Sequence, residues 1–227
     1  EYFVDELHTY EIGKKTDKLT GFITPYWPQL SDTDRDIYVN VFDFNVDIST
    51  ALNSDVGELK ALIMSRGDHW ADYSDIEGKG EQEYLDTTNL SVIIDMQSKL
   101  DQMVHNMITA INDQLCPNVT GPVGVTYQDA NGNTVNLSDA KVLDTENCAR
   151  GSDGELPPRE LFVRAGIERY TEVTGSDGKT YYVYNEEDTS DTSYMYSLTS
   201  CGVNEELKKI ETLFPHLKQN GEVDQQL

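Results

Sequence analysis

The sequence predicts an α+β protein: a long antiparallel helical hairpin with a β-rich flanking or inserted domain. Three observations lead there. Residues 90–115 repeat apolar side chains at three- and four-residue steps, the period of one face of an α-helix. A shorter helical pattern precedes them over residues 55–66. After Pro117, Asn131-Gly132 and Asp177-Gly178 each sit between β-favouring runs. Such dipeptides mark hairpins because they accept the positive φ of tight turns.

Residues 1–50 read as a β-containing segment that packs with the later β module. Within it, residues 37–45 are rich in β-branched and aromatic side chains and read as a strand, with a short buried helix as the alternative. Residues 51–116 make the helical hairpin. Asp55 followed by Glu58 resembles a capping box, Leu59, Leu62 and Ile63 share a face, and the helix ends near Arg66-Gly67. Residues 74–88 are polar, contain Gly78 and Gly80, and read as a loop.

The second helix carries Ile93, Met96, Leu100, Met103, Val104, Met107, Ile111 and Leu115 on one stripe. It is capped by Thr88 or Asn89 and stopped by Cys116-Pro117. About 25 residues at the standard rise make a rod of about 38 Å. The stripe is close to a heptad seam, which suits an antiparallel helical partner; taken alone it also fits an ordinary core helix. The expectation is that Leu100→Asp or Ile111→Asp unfolds the chain by burying an unpaired charge. Residues 117–202 read as a β-rich projecting domain. Residues 203–227 form a return segment with a short helix at 205–213.

Composition narrows the function classes. The chain has 227 residues, 41 acidic against 17 basic, and a formal net charge of -24. Such a surface repels phosphate backbones and anionic lipid, so neither nucleic acid nor a membrane is an expected partner. Hydrophobic residues make up 37%, yet 13 Tyr and 6 Phe argue for a folded chain. No apolar run reaches the length of a membrane-spanning helix, and no signal peptide is visible. The first residue is Glu1, which reads as a fragment of a longer protein. Cys116, Cys148 and Cys201 are odd in number and widely spaced, matching neither a disulfide framework nor a zinc pattern.

Catalytic patterns are weak. Acid pairs such as Glu186-Glu187 and Asp72 with Asp75 are numerous, but a chain this acidic brings carboxylates together by chance, and a glycosidase needs them across a cleft. His8, His69, His105 and His216 have no His or Cys at ligand spacing. No nucleophile elbow or phosphate-binding glycine loop is present. Asp129–Asn133 alternates oxygen side chains as calcium loops do, but its glycine falls at the fourth position and no Glu follows at the twelfth; a hairpin turn accounts for it. No cofactor or metal is expected.

Several words of the sequence resemble one family. Gly57–Asp68 is similar to a Gly-x-Leu-x-x-Leu stretch, and Met96–Asp113 to the following helix, of flagellar hook-associated proteins of the hook–filament junction type. Gly154–Phe162 and Val203–Leu207 resemble the family's strand after an insertion and its return to the shaft. The resemblance covers about residues 50–227, with residues 1–50 looser. It implies a structural, self-assembling component of the bacterial flagellum, extracellular, exported without a cleaved signal and not an enzyme. Its implied partners are copies of itself, the hook protein and the second junction protein. The family's terminal heptad-rich helices are missing here, so this piece is expected to be monomeric. Two rival classes stand beside it. One is an extracellular carbohydrate- or surface-binding module using Trp27, Trp70 and Tyr181–Tyr184. The other is a hydrolase with a facing carboxylate pair.

Overall fold

The computed structural model describes residues 12–16, 22–41 and 58–224, apart from the side chains of residues 59 and 60. The chain divides into two compact units, residues 1–100 and 101–227.

In the first unit, β1 (Gly13–Thr16) pairs antiparallel with β2 (Ile23–Tyr26). Helix α1 (Glu58–Arg66) stops at Gly67, whose φ of 82° only glycine adopts without strain. Its N–H closes the last turn on the Ile63 carbonyl at 2.9 Å. A Cβ on Gly67 would lie 2.2 Å from Ile94 Cδ1, so this glycine both ends the helix and lets Ile94 close on it. Helix α2 (Glu81–Asp86) follows, then α3 (Val92–Leu115) begins. Ser91 caps α3: its Oγ accepts from the Ile94 N–H at 3.3 Å and donates to the Ser65 carbonyl at 3.0 Å.

In the second unit, the rest of α3 runs into β3 (Asn118–Thr120). A small hairpin joins β4 (Thr126–Gln128) to β5 (Thr134–Asn136) across Gly132. Strands β6 (Lys141–Leu143), β7 (Phe162–Arg164), β8 (Tyr170–Thr174), β9 (Thr180–Tyr184) and β10 (Cys201–Val203) complete the set. One four-stranded antiparallel sheet has the order β3-β6-β9-β8, and β7 pairs with β10. Helix α4 (Glu205–Lys209) starts on Asn204, whose side chain caps the Glu206 N–H. Leu115, Cys116, Leu143, Cys148 and Tyr170 form the main core, and Leu137, Val142 and Val183 a second one.

The expected fold class is corrected: among the described residues there is no long helical hairpin. Helix α1 has 9 residues against 24 in α3, because Gly67 breaks it. The connection from α1 is not a plain loop either. It holds α2 and single 3-10 turns at Tyr73–Asp75 and Thr88–Leu90. Thr88 donates to the Asp75 carbonyl at 2.6 Å instead of capping α3. A capping box does occur, at Asp72 and Asp75; the one expected at Asp55 lies outside the described residues. Residues 37–41 make isolated bridges, Asp32 with Ile37 and Tyr26 with Asn40, and no strand; residues 42–45 lie outside. Both glycine hairpins form where the turn dipeptides place them, with Gly132 at φ 80° and Gly178 at φ 79°.

Candidate functional site

Helix α3 has two apolar-compatible faces, and the protein buries the one that the sequence makes less apolar. Leu115 is in the core and Ile63 on α1 is buried, while Val104 and Ile111 are half-buried. The remaining expected packing residues are not. Met96, Leu100, Met103 and Met107 are 64, 51, 63 and 51% exposed, and Leu62 and Ile93 are also exposed. The side chain of Leu59 lies outside the described residues. The buried row is Ile94, Ser98, Asp101, Ile108, Asn112 and Leu115, displaced by one residue along the helix. With half-buried His105 filling the gap between Asp101 and Ile108, both rows step by three and four residues, so periodicity alone does not choose between them.

The polar members of the buried row are held by specific bonds. Ser98 donates back to the Ile94 carbonyl at 2.7 Å. Asp101 accepts from the Leu198 N–H at 2.7 Å and from Ser197 Oγ at 3.2 Å. Asn112 accepts from the Phe162 N–H at 3.2 Å and donates to the Phe162 carbonyl at 2.8 Å. The carboxamide thus reads β7 as another strand would. His105 Nε2 lies 2.9 Å from Glu187 Oε1, and the other oxygen of Glu187 accepts from the Tyr196 N–H.

Behind Asn112 lies a buried charge network. Glu160 Oε2 accepts from Tyr196 Oη and, at 3.1 Å, from Asn112 Nδ2, with Arg169 Nη1 at 3.8 Å. Arg169 also donates to Asp113, Tyr170 Oη and Tyr196 Oη. Burial is the main reason that the Glu160 carboxyl is pushed up to about 7, against the pull of Tyr196 and the arginines. Burial likewise raises the Tyr196 phenol, and the Glu160 charge adds to it. Arg164 lies over the Tyr196 ring at 4.8 Å and donates to the carbonyls of Tyr194, Glu168 and Asn185.

A cleft of about 550 Å³ opens beside this network, lined among others by Arg159, Glu160, Arg164, Arg169 and Tyr170. A carboxyl titrating near neutrality beside a cleft is the profile of a general acid or base. The terminal nitrogens of the arginines at its wall are engaged internally, whereas the buried Arg164 Nε has no hydrogen-bond partner. Arg164 bonds to backbone carbonyls, and Arg159 pairs with Asp153, Glu155 and Glu206. The network joins α3, β7, β8 and the segment around Tyr196.

A second ionic cluster lies in the first unit. His69 Nδ1 is 2.6 Å from Asp68 and its Nε2 3.0 Å from Asp75. Those two hydrogen bonds, Asp68's first, push the imidazole up to about 10. A ring held protonated has no lone pair for a metal or a substrate proton, so this histidine serves as a cation. The group lines a small cavity of about 220 Å³ with Lys79 and Ser91.

The other sequence candidates are explained locally. Asp129 accepts from the N–H groups of Asn131 and Asn133 and from Asn133 Nδ2, so its carboxylate holds the β4–β5 turn. Trp70 packs edge-on against Phe22, and Tyr182 and Tyr184 pack on the main core. Cys116 and Cys148 are buried thiols, with Cys116 pushed up to about 12 by burial. Among the described residues no three metal-ligating side chains converge, and no helix is long and apolar enough to cross a membrane.

Glu160, Arg169 and Tyr196 carry no pattern in the sequence that links them. Asn112 had a signal, since it stands at heptad spacing with Asp101, Ile94 and Ile108. No family model, curated protein or solved structure matches the chain.

Proposed function

We propose that this chain is a non-catalytic assembly module that meets a helical partner along the exposed apolar row of α3. The observation that supports it is that row itself: Ile93, Met96, Leu100, Met103 and Met107 stand at a/d spacing in water. Scattered exposed apolar residues are ordinary, but an aligned row is the half of a helix–helix seam. Methionines suit such a surface because they adapt to a partner's shape. The network around Glu160 supports the same reading from the other side, by tying the C-terminal part of α3, at Asn112 and Asp113, to the second unit. For the setting, the bacterial flagellum outside the cell, the one support is the resemblance of residues 50–227 to hook–filament junction proteins.

The test is a photoreactive amino acid at Met103 in cells producing the full protein, with Glu172 on β8 as the control position. A discrete cross-linked product at Met103 and none at Glu172 is the expected result. No discrete product at Met96, Met103 or Met107 rejects the reading.

A further inference from the structure

We infer that the cleft beside Glu160 binds a small carboxylic acid with an apolar body. This site is independent of the exposed row on α3. It starts from Arg164, which is 5% exposed. Arg159 pairs with three acids, and Arg169 with Asp113 and Glu160. Arg164 pairs with no acid among the described residues. Its terminal nitrogens bond three backbone carbonyls, and the rings of Tyr196 and Tyr184 lie at 4.8 and 5.8 Å. Its enclosed Nε–H has no partner. Buried charges are as a rule paired, because an uncompensated one keeps its desolvation cost. Carbonyl dipoles and ring faces ease that cost without supplying an opposite charge. What Arg164 lacks is an anion.

Glu160 supplies the contact. Its side chain is more than nine-tenths buried and lines the cleft. Oε2 is taken by Tyr196 and Asn112, whereas Oε1 has no bond among the described residues and is not sealed from solvent. Oε1 is therefore the polar atom that an occupant meets, within the field of Arg164 and Arg169. When protonated it donates to a ligand carboxylate, and the two carboxyl groups share one proton while the guanidinium charge balances the pair. Of the other acids at the wall, Glu206 is held by Arg159 and Glu205 by Lys208, and Glu168 is exposed to water. The cleft volume of about 550 Å³ suits a small molecule. Pro157, Pro158, Val163 and Ile167 give it an apolar side for the rest of the ligand. The net charge of -24 repels an anion in proportion to the anion's own charge, which favours a monocarboxylate over phosphate.

The probes are benzoate and benzylamine, which share a ring and differ in the sign of their charge, titrated calorimetrically into the full chain. At pH 6 benzoate is expected to bind saturably and benzylamine not to bind. The Glu160 carboxyl, pushed up to about 7 by burial, is protonated in the complex, so benzoate affinity should fall about tenfold from pH 6 to pH 8. The groups around that carboxyl are Arg164, Arg169, Tyr196, Glu168, Cys116 and, through Arg169, Asp113. Glu160→Gln keeps a donor and should bind benzoate with an affinity that no longer depends on pH over this range. Ile167→Glu, on the apolar side, sets a like charge against the ligand and should weaken benzoate by about tenfold or more, with the melting temperature unchanged. The two probes decide the sign of the site on wild type alone, so the result does not hang on a variant. No benzoate binding at pH 6, equal or tighter binding of benzylamine, or a wild-type affinity independent of pH overturns the inference. Benzoate binding that survives Ile167→Glu overturns it as well, because the ligand then lies elsewhere.

Discussion

Tyr196 donates its phenolic hydrogen to Glu160 inside the second unit, where both side chains are almost fully enclosed. The enclosure, which outweighs the pull of that bond, has a pH consequence. The folded carboxyl titrates at about 7, above its ordinary 4.5. Between those values the folded chain holds a proton that the unfolded chain has released, so this group's contribution to stability falls as pH rises from about 4.5 to 7 and is flat above. The full window corresponds to a few kcal/mol. Glu160→Gln keeps an oxygen acceptor for Tyr196 and removes the titration. The melting temperature of wild type minus that of the variant should therefore decrease from pH 5 to pH 8, and a difference independent of pH would show that Glu160 titrates normally.

Asn112 bonds both backbone groups of Phe162. Asn112→Ala leaves that N–H and carbonyl without their partner in a buried place, and each such loss costs about 1–3 kcal/mol. Asn112→Asp still accepts from the N–H but brings a second carboxylate beside Glu160. The Asp variant should therefore lose more stability than the Ala variant above neutral pH, measured by urea unfolding. Equal losses would mean that the Glu160 site does not feel position 112.

What could be read in the sequence was local. The turns at Gly132 and Gly178 need positive φ, and the dipeptides there state that need directly. The start, length and end of α3 were legible within a few residues because Pro117 and the periodicity bound it. Its buried face was not. The sequence carries two heptad rows one residue apart, and ranking them by hydrophobicity selects the exposed one. The row with Ser98, Asp101 and Asn112 can be buried because Ser98 bonds back to its own helix, while Leu198, Phe162 and Glu160, about 50 to 100 residues away along the chain, satisfy Asp101 and Asn112. The helical hairpin failed for a related reason: Gly67 was seen as a helix end, but its close approach to Ile94 depends on tertiary packing.

His69 gives a prediction that does not depend on α3. With its imidazole raised to about 10 by Asp68 and Asp75, the ion pairs stabilise the fold below pH 6.5 and lose that effect as pH rises through 10. The His69 C2–H resonance should show no titration step near 6.5. In Asp68→Asn, which removes the larger of the two supports at an exposed site, the step should move down toward the ordinary histidine range. A wild-type step near 6.5 would mean that the two carboxylates do not hold the ring in solution.

The two rows of α3 make opposite demands on substitution. Ile108 is 2% exposed, so Ile108→Asp places a carboxylate among apolar atoms with no partner and should cost more than about 3 kcal/mol. Leu100 is half in water, so Leu100→Asp should change stability by no more than about 0.5 kcal/mol, contrary to the unfolding that a buried stripe demands. Thermal melts of both single variants decide the matter at concentrations where the chain is monomeric. If Leu100→Asp melts as low as Ile108→Asp, then Leu100 is enclosed in solution and the exposed row on which the docking role depends does not exist.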